Sequence, residues 1–224
     1  MISICVKKKL KGFNGFFELD INEKIPEKSF IGIFGNSGSG KSTFLEILSG
    51  FIKPDYGEIS FNNTLWLSKT INLSPFQRNI GYVYQSDVLF EHFSILENLN
   101  FACTDVTNTN YLKELIKEFN LENLLNLRPS QLSGGQKQLV CLIRSIIRKP
   151  PILLLDEPLS SVDYTLRKKL QKLILKIHND LKITCIIVSH DPNELKYLTD
   201  TIWKIEQGKI IEKGDFETVL GNLI

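Results

Sequence analysis

Apolar and polar residues divide the chain into alternating, continuous and helical stretches. Residues 2–30 alternate apolar with polar, with turn signals at Gly12, Asn14-Gly15 and Pro26, which predicts antiparallel strands packed against the rest of the core. Four later runs are short and apolar: residues 29–34, 80–84, 152–155 and 184–188. Runs of that length predict strands, the first and the last two buried. A turn at residues 51–57 leads into a further strand at 58–61, and residues 202–211 read as a hairpin turning at Gln207-Gly208. Helical spacing appears at residues 43–48 and at Leu139, Leu142, Ile143 and Ile146. It recurs at Leu166, Leu170, Leu173, Ile174 and Ile177, which share one face with lysines opposite. Residues 94–128 are helical in pattern around a polar loop at 104–110, with Leu112, Leu115, Ile116 and Phe119 at helix spacing. The order predicts a single α/β domain. Its core spans about 1–93 and 129–224 with an antiparallel β subdomain, and a helical subdomain is inserted at about 94–128.

Composition narrows the class. The 224 residues are 42% hydrophobic, enough for a sizeable core. A net charge of +2 does not suggest nucleic acid as a partner. No apolar run approaches a membrane span, and the first nine residues place their lysines after the apolar positions, unlike a secretory signal. Cys5, Cys103, Cys141 and Cys185 are scattered, which favours free thiols over a zinc site or a disulfide framework.

The chemistry starts at Gly35-Asn36-Ser37-Gly38-Ser39-Gly40-Lys41-Ser42, between a predicted strand and a predicted helix. The spacing fits a phosphate loop, in which small residues let backbone N–H groups turn inward around a polyphosphate. Lys41 would set a point charge on the outer phosphates, and the Ser42 hydroxyl can ligate Mg²⁺. The helix start behind the loop favours anions. Leu132-Ser133-Gly134-Gly135-Gln136 opens another helix. Ser133 and Gln136 fit a capping box, and the two glycines expose backbone at a second possible phosphate site. With one loop already present, a second cradle makes sense if it serves the nucleotide of another subunit.

Three predicted strands deliver polar groups at their carboxyl ends: Gln85, the pair Asp156-Glu157, and Ser189-His190-Asp191. Open α/β sheets bind ligands along that edge. Adjacent carboxylates at a strand end point to different faces, so one can reach Mg²⁺ through a water while the other faces an attacking water. Phe13, Phe16 and Phe17 lie upstream of the loop, and one of them could stack on an adenine ring.

The phosphate loop, Gln85, the Leu132 to Gln136 pentapeptide, Asp156-Glu157, Asp163 and His190 occur in the order of an ABC transporter ATPase subunit. The chain is similar to that family over essentially its whole length. The resemblance implies a P-loop NTPase core with an antiparallel β subdomain and an inserted α-helical subdomain, with ATP and Mg²⁺ as cofactors. It implies that Gly35, Asn36, Ser37, Gly38, Ser39, Gly40, Lys41, Ser42 and Thr43 wrap the phosphates. Ser42 and Gln85 would contact Mg²⁺, with Asp156 holding it through water. Glu157 would be the general base and His190 the contact to the γ-phosphate. Ser133, Gly134, Gly135 and Gln136 would close over ATP bound by an identical subunit, with Asp163 acting across that interface.

The implied setting is the cytoplasmic face of a bacterial membrane, peripheral to transmembrane permease subunits and indirectly linked to a periplasmic or lipoprotein substrate-binding protein. Residues 73–85 resemble bacterial importers for small anions and related substrates, and residues 89–99 most resemble the molybdate importer ATPase, with tungstate, sulfate and ferric-ion relatives open. Several positions depart from the pattern: Glu91 for Pro, Leu139 for Arg, and Ser161-Val162 for Ala-Leu. The adenine-stacking Tyr has no counterpart, and Phe13 is the first replacement with Phe16 second. No C-terminal regulatory β-domain is expected in a chain ending at Ile224. A soluble ABC ATPase acting on nucleic acid is disfavoured by the near-neutral charge, and a regulator without turnover by Glu157.

Overall fold

The computed structural model describes residues 1–12, 15–86, 88–160 and 162–223. The first part runs β1 (Ile2–Gly12), β2 (Gly15–Ile25), β3 (Phe30–Phe34), α1 (Lys41–Ser49), β4 (Tyr56–Phe61), β5 (Thr64–Leu67), α2 (Pro75–Arg78) and β6 (Ile80–Val83). Two helices follow, α3 (Ile95–Asn100) and α4 (Val106–Glu118). The remainder is α5 (Gly134–Ile146), β7 (Ile152–Asp156), α6 (Tyr164–Leu181), β8 (Thr184–Val188), α7 (Pro192–Leu198), β9 (Thr201–Glu206), β10 (Lys209–Gly214) and α8 (Phe216–Leu220).

Among the described residues the strands form one ten-stranded sheet, in the order β5-β4-β1-β2-β10-β9-β3-β8-β7-β6. The half from β9 to β6 is parallel. Its central strands β7 and β8 are buried at every position, as continuous Leu, Ile and Val runs require when both faces are covered. Alternate residues serve opposite sides. Ile152 and Leu154 pack with Phe44 and Leu45 of α1, whereas Leu153 and Leu155 pack with the helices α3 to α8.

The antiparallel strands continue the sheet of the core. The β9–β10 hairpin leaves a free β10 edge, and β2 joins it in parallel at Lys209 and Asp20, with Asp20 N–H donating to Gly208 O at 2.9 Å. Alternation fixes which face of a strand is buried, not which strand lies beside it. The hairpin turn falls on Gln207 and Gly208, whose φ values of 44° and 81° suit a tight primed turn.

Helices α3 and α4 bury Ile95, Leu99, Leu112 and Leu115 in the apolar cluster that α5 enters. Asn98, fully buried, accepts from Phe90 N–H at 2.8 Å and donates to carbonyls of Phe90, Phe93 and Ser94. This pins the approach to α3. Arg144 of α5 donates to Val88 O from the other side, tying that approach to α5.

Candidate active site

The parallel register brings three strand ends to one edge. Ile33 pairs with Val188, and Val188 with Asp156, so the segments following β3, β7 and β8 emerge together. The loop of residues 35–40 curls back at this edge into α1. Gly35 permits a close approach to the β9–β10 hairpin, since a Cβ there would lie 2.2 Å from Ile205 O. Gly40 adopts a φ of 99° at the start of α1, which L-residues with a Cβ rarely adopt. Lys41 folds beneath the loop, and its ammonium donates to Gly35 O and Asn36 O, each at 2.8 Å. Burial pulls its pKa down, opposed by the charges of Glu157 and Asp156.

The two carboxylates face different neighbours. Asp156 Oδ1 accepts from the Ser42 hydroxyl at 3.0 Å, and its Oδ2 from the Tyr82 hydroxyl at 3.5 Å. Burial raises the Asp156 pKa, and the Ser42 hydrogen bond counters it. Glu157 turns outward on a left-handed backbone with φ 46°, its N–H donating to Val188 O at 3.0 Å. Glu157 Oε2 accepts from Gln85 Nε2 at 3.0 Å, and His190 Nδ1 lies 3.4 Å from the same oxygen.

Gln85, Glu157 and His190 border one side of an open cavity of about 480 Å³ whose floor is the glycine-rich loop with Lys41, Ser42 and Thr43. Its far wall is Leu10, Lys11 and Phe17. Here the expectation for an aromatic changes. Phe13 lies outside the described residues. Phe16 points away, 69% exposed under the Lys9 ammonium, while Phe17 borders the cavity. Neighbouring residues on a strand face opposite ways, as these two rings do. Leu10, Lys11 and Tyr82 were not singled out from sequence. Leu10 would have followed from the β1–β2 register, in which it opposes Phe17; Lys11 opposes Phe16 and borders the cavity from the end of β1.

Ser133, Gly134, Gly135, Gln136 and Asp163 do not border this cavity. Gln136 N–H donates to Ser133 Oγ at 3.3 Å, and Ser133 N–H donates to Gln136 Oε1 at 2.9 Å, completing the expected capping box. The two glycines differ from the reading that both expose backbone. Gly134 is exposed, but Gly135 is buried because Leu166 Cδ2 lies 1.8 Å from where a Cβ would stand. Asp163 caps α6, accepting from Leu166 N–H at 3.1 Å.

The chemistry of the site fits a polyphosphate with a divalent cation. The Ser39 hydroxyl is buried in the loop without a protein partner. Ser42, Asp156 and Gln85 offer the oxygen ligands that Mg²⁺ prefers.

The ABC transporter family model matches residues 19–160, more than half of the chain. The chain is 36% identical to the molybdenum import ATP-binding protein ModC of Photobacterium profundum, over 99% of this chain and 61% of that protein. It is also 36% identical to the sulfate/thiosulfate import ATP-binding protein CysA of a Synechocystis species, over 97% of this chain and 62% of that protein. The chain thus spans about three fifths of the length of these curated relatives. Among solved structures it resembles the ATP-binding cassette MJ0796, a dimer in a post-hydrolysis state bound to ADP and Pi. That likeness has a TM-score of 0.82 at 29% identity, covering 96% of this chain and 99% of that one. By its sequence and its fold, the chain belongs to the ABC transporter family.

Proposed function

We propose that this chain is the ATP-binding and ATP-hydrolysing subunit of a membrane importer for a small oxyanion, molybdate or tungstate first. The supporting observation is the placement of Glu157. It stands at the cavity wall beside Gln85 and His190, next to the Ser42–Asp156 pair at the foot of the phosphate loop.

Bound ATP with Mg²⁺ supplies the transferable phosphoryl group and part of the charge neutralisation. Lys41, already desolvated under the loop, stabilises charge on the outer phosphates. Ser42, Gln85 and Asp156 would hold the cation, which would supply charge neutralisation at the phosphates. Glu157 takes the proton of the attacking water, with Gln85 orienting its carboxylate, and His190 contacts the γ-phosphate. Asn36 and Ser39 shape the loop, and Ser37, Gly38 and Thr43 border the phosphates. Phe17 is the aromatic for the adenine.

The exposed Ser133 and Gly134 and the Asp163 cap stand ready for a second copy of the chain, whose nucleotide they would cover. The dimeric form of the MJ0796 cassette supports that arrangement. Opening and closing of the pair would drive permease subunits, placing the chain peripherally on the cytoplasmic face and linking it indirectly to an external substrate-binding protein. Among the described residues no helix is long and apolar enough to cross a membrane.

The names of the ModC relatives support molybdenum, and the equal identity to the CysA protein keeps sulfate as a second reading. Two experiments test this. Lys41→Ala should weaken ATP binding in a titration, and unchanged affinity would reject the phosphate-loop assignment. Deleting the gene should lower cellular molybdenum or tungsten selectively at limiting supply. A selective fall in sulfur would move the assignment to sulfate, and no change in molybdenum, tungsten or sulfur would reject oxyanion import.

A further inference from the structure

One side chain links two turns: the one ending at Asp163, and the one carrying His190. Ser189, buried at the end of β8, donates its hydroxyl to Glu194 and accepts from Asp191 N–H at 3.1 Å, so both neighbours of His190 are fixed. Asp191 in turn caps α7 by accepting from Asn193 N–H at 2.9 Å. His190 itself is 65% exposed, held by Glu157 Oε2. The link from α6 is Arg167. Its Nη1 lies 3.3 Å from Asp191 Oδ2, and its Nη2 donates to Val162 O at 3.3 Å. Val162 directly precedes Asp163. One guanidinium therefore holds the residue beside the proposed subunit contact and the residue beside His190.

We propose that Arg167 is a positioning residue that couples the Val162–Asp163 turn to the His190 turn, so that engagement of Asp163 by a second copy of the chain fixes His190 against the terminal phosphate. This rests on the function proposed above. A forked guanidinium suits the task because it presents several donors in one rigid plane. A lysine has a single nitrogen on a flexible stem and cannot reproduce that fork.

The test uses the full chain and four variants: Arg167→Ala, Arg167→Lys, Asp163→Ala and the Asp163→Ala/Arg167→Ala double. Arg167→Ala should lower kcat about tenfold while KM and the ATP dissociation constant stay within about twofold, the pattern of a contact that matters after binding. The double variant should be no slower than the slower single within about twofold, since both changes break one link. Arg167→Lys should keep the wild-type melting temperature yet lose about threefold or more in kcat, which carries the test if the alanine variant does not fold. Multiplying losses in the double variant, or a defect confined to KM or tracking the folded fraction, would overturn the coupling. Glu157→Gln run alongside separates the two levels. If it hydrolyses ATP normally, the site reading falls and the coupling with it. If it is inactive while the Arg167 and Asp163 losses multiply, only the coupling falls.

Discussion

Gln85 Nε2 donates to Glu157 Oε2 across 3.0 Å, and this contact follows from strand register. β6 and β7 run parallel with Val83 opposite Leu155, so the segments that leave the two strands emerge side by side. The left-handed φ of 46° at Glu157 then turns its side chain out of the sheet plane toward the cavity. Such a conformation in a non-glycine residue costs on the order of 1–3 kcal/mol, and residues held this way cluster at functional sites.

The inward face of β2 gives a first prediction. Phe17→Ala should weaken ATP binding roughly threefold to tenfold, the loss expected when a base gives up one aromatic neighbour. Phe16→Ala should leave affinity unchanged, since that ring stacks under Lys9 outside the cavity. Fluorescence titration with a labelled nucleotide decides between them, and the reverse ranking would contradict the placement.

Arg78 gives the second. It is 2% exposed and donates to Ile47 O at 2.8 Å, Leu48 O at 2.7 Å and Leu73 O at 3.0 Å. Burial pulls its pKa down to about 10. The guanidinium thus closes the carboxyl end of α1, the helix that carries Lys41 and Ser42. Arg78→Ala would take the side-chain donor from Leu48 O and Leu73 O, while Ile47 O keeps the Gly50 N–H, and should cost about 3 kcal/mol in urea denaturation. A loss under about 1 kcal/mol would show that the turn reorganises and satisfies them another way.

The third concerns Glu194, which is 4% exposed and held by Ser189. Burial raises its carboxyl above the ordinary value of 4.5. The folded protein therefore binds this proton more tightly than the unfolded chain does. Its contribution to stability is fully present below pH 4.5 and is lost as pH rises through the folded value. Glu194→Gln removes that loss, so the variant should gain stability relative to the wild type as pH rises above 4.5, read as melting temperature. A difference that stays flat with pH would contradict a carboxyl raised by burial.

Much of the site was legible because its signals are local. The loop needs glycines at fixed spacing, the capping box needs Ser133 and Gln136 three apart, and β7 and β8 are apolar without interruption. What the sequence hid depends on distant neighbours. The parallel joining of β2 to β10 rests on an edge that only the folded hairpin provides. Phe17 rather than Phe16 faces the cavity because of β1–β2 register. Gly135 is small because Leu166, far along the chain, occupies the space. Arg78 gives no sign of burial in a polar turn, and neither does the reach of Arg167 to Asp191.

The central claim is that Glu157 is the base for water in ATP hydrolysis, and Glu157→Gln tests it most directly. The variant keeps the size of the side chain and a carbonyl oxygen for Gln85, but cannot take the proton. ATP binding should be retained while turnover falls by about 100-fold or more, the range expected for loss of a general base. Turnover near the wild-type rate, with ATP bound normally, would contradict the account.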